Sequence, residues 1–316
     1  MQRRTLGIVA AFVAVYLIWG STYLAIRFAV EDTPPFLMAS ARWLVAGAIL
    51  FAWRKAAGDA LPTGHEARAA ALVGVALILG GNGLVSWAEQ WVPSAFAALL
   101  IAVVPAWIAL LVWARTKERP GARVASGIAL GFLGVVALFA PALVEGLRGD
   151  MAVAVGIGAI LVATVAWASG SLYSRSAPQP KSTLMGVAVQ MLAGGAALAV
   201  AGLATGEATR VDLPAVSLRT WLSLGFLVFF GSIVAFSAYI WLLKQVPPSL
   251  VATYAFVNPV VAVALGALFA GERFTPLTLA ASALIVVGVA LVVTGGASRG
   301  PRREGPKDPV AEGDAS

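Results

Sequence analysis

VPPSLVATYAFVNPVVAVALGALFAGER, residues 246–273, is the stretch on which the reading of the fold depends. It opens on Pro247–Pro248, runs apolar through its middle and closes on Glu272–Arg273. Moved back by 154 residues, it falls on an equivalent run: Val246–Pro247 on Val92–Pro93, Pro259 on Pro105, and Glu272–Arg273 on Glu118–Arg119. Outside the stretch, Trp241 then meets Trp87 and Gly288 meets Gly134. With a shift of 148, Trp167 falls on Trp19, Ser169 on Ser21, Arg175 on Arg27 and Gln190 on Arg42. The change of shift requires six extra residues in the second half, and the long connection 205–219 has room for them. Landmarks that recur in one order across two halves indicate an internal duplication.

The composition says what is duplicated. Of 316 residues, 60% are hydrophobic and 12% charged. A soluble domain carries about 25% charged residues, so this chain is built to face lipid. Apolar runs fall at 6–26, 35–53, 69–88, 93–114, 123–142, 152–173, 183–204, 220–243, 249–270 and 276–296. Each is near the length a helix needs to cross about 30 Å of hydrocarbon. Open strands cannot satisfy their backbone in lipid, so the runs are read as helices. Pro93 and Pro247–Pro248 mark the two shortest connections, at helix starts where proline costs least. The expectation is an all-α membrane protein of ten transmembrane helices in two five-helix repeats, 1–142 and 152–296, with a disordered tail over 297–316. Five is odd, so the repeats are inverted, which is the architecture of secondary transporters with a midplane site.

Charge gives the orientation. With the N-terminus inside, sixteen of the 22 Lys and Arg residues lie on the cytoplasmic side, five lie outside, and Arg42 lies within a span. Both termini are therefore expected in the cytoplasm of a multi-pass inner (plasma) membrane protein. The net charge of +7 is spread through these short connections, which argues against nucleic-acid binding. The first apolar run is too long for a signal peptide and is followed by no small-residue cleavage site, so it is read as a retained span.

Chemistry is sparse. There is no cysteine, and the single histidine, His65, sits in a polar connection. No metal or cofactor is expected. No Gly-x4-Gly-Lys-Ser/Thr loop is present to cradle a nucleotide, so ATP is not the energy source. A membrane enzyme would need a cluster of His, Asp or Cys at a membrane face. A sensor or scaffold would need a soluble module, and the longest connection is about 15 residues. A passive channel or uniporter stays open as an alternative to a carrier. The expected partners are a small-molecule substrate and the lipid bilayer. A homodimer through Gly127-x3-Gly131 stands as the alternative to packing those glycines within a monomer.

The segment Tyr16-Leu-Ile-Trp19-Gly20-Ser21-Thr22-Tyr23-Leu-Ala-Ile-Arg27 resembles the first span of the EamA-type drug/metabolite transporters, and Ala41-Arg42-Trp43-Leu44 resembles the second. Val246-Pro247-Pro248-Ser249 through Asn258-Pro259-Val260 to Gly271-Glu272-Arg273 is similar to the matching part of that family's second repeat. Asn82–Gly83 and Trp87-Ala-Glu89 resemble the YedA-like exporter subgroup. The resemblance covers about 6–296. It implies ten helices around a central cavity, and export or exchange of small metabolites, amino acids or toxic compounds without ATP hydrolysis.

Polar and large aromatic residues inside apolar runs are the site candidates. Arginine in hydrocarbon costs about 2.5–3.5 kcal/mol, so Arg42 should face a cavity or a partner. It is read as an anchor for a substrate carboxylate or for Glu89, or else as a snorkelling side chain. Glu89, at the end of the third span, is a candidate proton site or a carboxylate in interfacial water. Trp19 and Trp167 lie deeper than an aromatic belt and are candidates for cavity walls or core packing. Trp87, paired with Trp241, Asn82, Tyr239, Tyr254 and Asn258 complete the expected substrate site. Trp43, Trp53, Trp91, Trp113 and Trp221 lie nearer span ends and are assigned to belt or packing. Pro105 and Pro259 are read as helix kinks.

Overall fold

The computed structural model describes residues 2–92, 94–146, 151–269 and 276–297. The expectations placed on Pro93, on Glu272–Arg273 and on the tail beyond 297 lie outside these residues. Every described element is helical: α1 (Gln2–Asp32), α2 (Pro35–Ala56), α3 (Gly64–Ala88), α4 (Ser94–Ile101), α5 (Val104–Thr116), α6 (Ala122–Gly146), α7 (Met151–Ser176), α8 (Thr183–Ala204), α9 (Leu218–Gln245), α10 (Pro248–Val251), α11 (Tyr254–Phe269) and α12 (Pro276–Ala297). Two 3-10 turns, Glu207–Arg210 and Leu213–Ala215, lie between α8 and α9. Among the described residues, six helices are long and apolar enough to cross a membrane: α1, α2, α3, α7, α8 and α9. Four shorter apolar helices accompany them, at Val104–Thr116, Ala122–Ala137, Pro248–Val261 and Leu279–Gly295.

Local chemistry sets the ends. At α3, Thr63 and Glu66 form a capping box, each side chain bonding the other's backbone N–H. Helix α2 begins at Pro35, where a missing N–H costs nothing. The run expected at 93–114 is broken at Ala102–Val103, between α4 and α5. Pro105, at the second position of α5, crowds the carbonyl one turn back and accounts for that break. The second expected kink is displaced. Pro259 lies inside α11, and the interruption falls upstream at Ala252–Thr253. There the N–H groups of Ala255 and Phe256 bond the carbonyls of Ala252 and Thr253, each at 3.0 Å, so the chain tightens before the proline is reached.

Two of the long helices are interrupted internally. In α3 the segment Val75–Gly83 is π-helical, and in α9 so is Leu227–Phe236. Such wide turns often mark functional sites. Under the shift of 154, Val75–Gly83 falls on 229–237, so the two segments nearly coincide.

The helices pack in sets that mix the two ends of the sequence. Helix α1 runs along α9 and α11, while α7 runs along α3, α4 and α5. Beside these sets lie two close pairs, α2 with α8 and α6 with α12. In the second pair backbones nearly touch: a Cβ on Gly288 would sit 2.6 Å from the Gly131 nitrogen. Gly127-x3-Gly131 is thus spent on α12 of the same chain. One end of the molecule carries Arg54–Asp59, with paired contacts of 2.8 Å, and the bond from Lys244 to Thr183 at 3.1 Å. At the opposite end, Asp32 accepts from the Ser217 N–H at 3.1 Å and the Thr220 hydroxyl at 2.7 Å. There too, buried Glu207 accepts from the N–H groups of Phe36 and Leu37 at 3.3 and 2.9 Å.

Candidate functional site

Between the set around α1 and the set around α7 lies a cavity of about 80 Å³. A single water needs about 10–15 Å³ on the same measure, so this space holds several waters or a small part of a solute. Trp19, Tyr23 and Ile26 of α1 line it, with Arg42 and Trp43 of α2, Asn82 and Val85 of α3, Trp167 of α7, and Tyr254 and Asn258 of α11. Trp19 and Ile26 are seven residues apart, which is about 10 Å along a helix.

Arg42 is 2% exposed. Its Nε donates to the Ser232 hydroxyl at 2.8 Å, and its guanidinium lies 4.5 Å from the centre of the Trp43 ring. Four ion pairs occur among the described residues, and Arg42 belongs to none of them. The expected alternative partner, Glu89, is not bonded to it; both Glu89 carboxylate oxygens lack a hydrogen-bond partner among the described residues. Nor does Arg42 snorkel, because the ring of Trp43 and the π-helical segment of α9 enclose it. A buried guanidinium with free donor capacity beside a cavity has the fork of donors that a carboxylate or phosphate can accept from.

The floor of the cavity is aromatic. Trp19 and Trp167 meet edge to face with centroids 5.5 Å apart. Trp19 lies 5.0 Å from Tyr239 and 5.1 Å from Tyr254. The indole N–H of Trp167 donates to the Tyr239 hydroxyl at 2.8 Å, and that hydroxyl also meets Ser171 at 2.6 Å. The indole N–H of Trp19 donates to the Gly231 carbonyl at 3.1 Å, inside the π segment of α9. The polar edges of Trp19, Trp167 and Tyr239 are therefore satisfied, which fixes the orientations of these three rings.

Six of the eight residues expected to bind substrate line the cavity: Trp19, Arg42, Asn82, Trp167, Tyr254 and Asn258. Tyr239 lies beneath it, fully buried. Trp87 lies away from the wall, stacked on Phe36 at 6.4 Å and edge-on to Trp91 at 4.7 Å. Asn82 accepts from the Trp43 indole at 3.0 Å, and the Asn258 amide nitrogen faces the carbonyls of Tyr16 and Tyr254. Of the two readings given to Trp43, belt or packing, the structure bears out packing: it is 1% exposed and meets Phe236 edge-on at 5.1 Å, and it also forms part of the cavity wall. Tyr23 and Thr22 are lining residues that had not been singled out, although both stand in the quoted 16–27 segment. Glu89 is not an interfacial carboxylate in water, because it is fully buried.

The EamA-like transporter family matches the chain twice, over residues 5–140 and 154–294. The uncharacterized inner membrane transporter YedA of Escherichia coli (strain K12) is 39% identical over 297 residues, covering 93% of this chain and 92% of that protein. A probable amino-acid metabolite efflux pump of the same organism is 27% identical over 300 residues, covering 92% and 95%. A solved crystal structure superposes with a TM-score of 0.72 at 22% identity, over 92% of this chain and 98% of the other, and so shares the fold.

Proposed function

The chain belongs to the EamA-like transporter family, and from that premise we propose that it is a secondary transporter exporting or exchanging small metabolites across the inner membrane by alternating access. The observation that carries the reading is Arg42, a buried cation with no ion-pair partner among the described residues, set against an aromatic cavity between two helix sets. Leaving a charge so placed is costly unless something neutralises it. A substrate carboxylate would do so on each cycle. The aromatic floor suits an apolar or aromatic side chain, and most pockets of this kind combine apolar walls with few polar groups. The relative whose name refers to amino-acid metabolites is consistent with a carboxylate-bearing substrate.

Two inverted five-helix halves account for the packing. The matches over 5–140 and 154–294 support the duplication. So does the near-coincidence of the π segments. In this arrangement each half lends one helix, α1 or α7, to the other, and the cavity lies where the two sets face. The four shorter apolar helices would complete ten spans, and the charge bias would put both termini in the cytoplasm.

The test is a thermal-shift screen of the purified protein against amino acids, sugars and cationic drugs, followed by counterflow in proteoliposomes. A ligand bound at 100 times its Kd stabilises the folded state by about 2.7 kcal/mol. Carboxylate-bearing hits that Arg42→Met abolishes, with saturable counterflow, support the reading. Flux that neither saturates nor exchanges favours a pore, and binding confined to cationic drugs removes the role given to Arg42.

A further inference from the structure

Glu89 follows the last turn of α3. Its N–H bonds the Val85 carbonyl at 3.0 Å, so the helical path continues to it and the two side chains share one face. Val85 lines the cavity. The Glu89 carboxyl group therefore stands one turn above the cavity roof. It is fully buried, and neither oxygen has a hydrogen-bond partner among the described residues. Ser86, three residues earlier and also fully buried, likewise lacks one.

The groups that face Glu89 are few. Helix α1 brings Tyr23 and Arg27, both within electrostatic reach of the carboxyl. On α2 the ionisable group away from the last turn is Arg42, whose Nε is bonded to Ser232. Helix α7 brings none at this level. Arg27 does not bond the carboxylate. Its Nη1 donates to the main-chain carbonyl of Glu89 at 3.1 Å, and its Nε lies 4.0 Å from Glu31. Glu31 in turn pairs with Arg219 of α9. Arg27 thus crosses from the helix set around α1 to the set around α7, at the end opposite Arg54–Asp59.

We propose that Glu89 is a proton-binding site and that its neutral form is what permits this end of the cavity to close, with Arg27 as the clamp. This rests on the transporter reading and deepens it. A carboxylate enclosed with no donor is strongly disfavoured. Closing over an ionised Glu89 would therefore be opposed, and closing over a neutral one would not. When α1 withdraws from the turn after α3, Arg27 releases the carbonyl and water reaches Glu89 and Ser86. The carboxylate takes its proton from that water before closure. It loses it through the cavity, which Val85 and Tyr23 border, once the other end opens. Each closure would then carry one proton across, opposite in direction to an exported substrate.

The protein has no cysteine, so label pairs can be added directly. Spin labels at Val30→Cys on α1 and Trp91→Cys after α3 report the distance across the clamp in lipid nanodiscs, with no substrate present. Between about pH 6 and pH 9, which brackets the range of raised carboxyl groups, the short-distance population should fall as pH rises. The open-to-closed ratio should change by at most about tenfold per pH unit, the limit for one linked proton. Glu89→Gln should hold the short distance at both pH values, Glu89→Asp should keep the pH response, and Arg27→Gln should lengthen the distance even at the lower pH. A distance independent of pH in the wild type overturns the proposal, and so does a pH response that survives in Glu89→Gln. Should Glu89→Gln fail to give a single monodisperse species, the wild type and Glu89→Asp decide alone. The readout needs no substrate, so its failure leaves the transporter reading to the counterflow assay.

Discussion

Arg42 and Ser232 stand 190 residues apart in sequence, yet the arginine Nε lies 2.8 Å from the serine hydroxyl. This bond fixes one edge of the guanidinium against the π segment of α9. It leaves the other donors for the cavity. Binding the proposed carboxylate while keeping the Ser232 bond would need a planar fork, which lysine does not supply.

Arg42→Lys should therefore lower affinity for a carboxylate ligand by about tenfold or more, while Ser232→Ala, which removes one bond to a charged group worth about 1.5–3 kcal/mol, should have a comparable or smaller effect. The measurement is the ligand concentration needed for a fixed thermal shift. Equal affinity in wild type and Arg42→Lys would show that the guanidinium does not touch the ligand.

Close helix crossing gives a second test. A Cβ on Gly74 would lie 2.1 Å from the main-chain oxygen of Gln190, so Gly74→Ala must push α3 from α8. Overpacking of this kind costs about 1–3 kcal/mol or more. The apparent melting temperature should fall by several degrees. Gly158 has nothing within 4 Å of an added Cβ, and there alanine should leave the melting temperature unchanged or raise it.

These glycines illustrate what the sequence carried and what it did not. Apolar run lengths and proline positions located the helices, because lipid leaves the backbone little choice. Polar residues inside apolar runs pointed to Arg42, Asn82 and Asn258, since such groups cost energy against lipid. Trp43 and Tyr23 were not legible. In a membrane chain the lipid face and the cavity face are both apolar, so hydropathy does not show which way a helix is turned. Glu89 was read as standing at a span end, and span ends are commonly wet. Its burial comes from α7 packed along the end of α3 and from Arg27 reaching over from α1, tertiary contacts with no local signature. Gly74 and the π segments were equally silent, being properties of neighbouring backbones.

The connection between α2 and α3 supplies a control for any pH study. The Arg54 guanidinium, through paired hydrogen bonds, together with a bond from Ser182, holds the Asp59 carboxyl down at about 2. A depressed carboxyl contributes stability that is present above its ordinary value and is lost as pH falls through the depressed one. Melting curves of wild type and Asp59→Asn should therefore differ by a constant amount from about pH 5 to pH 9. The difference should shrink only below about pH 4, toward about pH 2. A gap that varies near neutrality would show that this pair is not ion-paired as described.

The last expectation concerns Glu207. Helix α2 starts after Pro34 with no side-chain cap of its own. The N–H groups of Phe36 and Leu37 are among the unpaired donors of its first turn. Glu207 reaches them from the connection after α8, with a side chain 1% exposed. Asp32, at the end of α1, sits at the start of α9, where it accepts from the N–H of the capping residue Ser217 and from the Thr220 hydroxyl. Each carboxylate meets the positive end of a helix, where an anion is favoured by about 0.3–1 kcal/mol and by more when partly buried. Glu207→Ala leaves one buried and one partly buried N–H group without acceptors and should cost about 1–3 kcal/mol. Glu207→Gln keeps one acceptor oxygen without the charge, so its cost should be intermediate. Asp32→Asn retains an acceptor at a more exposed site and should cost less than Glu207→Ala. The two carboxylates share no partner, so the double variant should lose close to the sum. Apparent melting temperatures of the wild type and the four variants in one detergent would test the order. If Glu207→Ala melts with the wild type, the first turn of α2 is held by something other than Glu207.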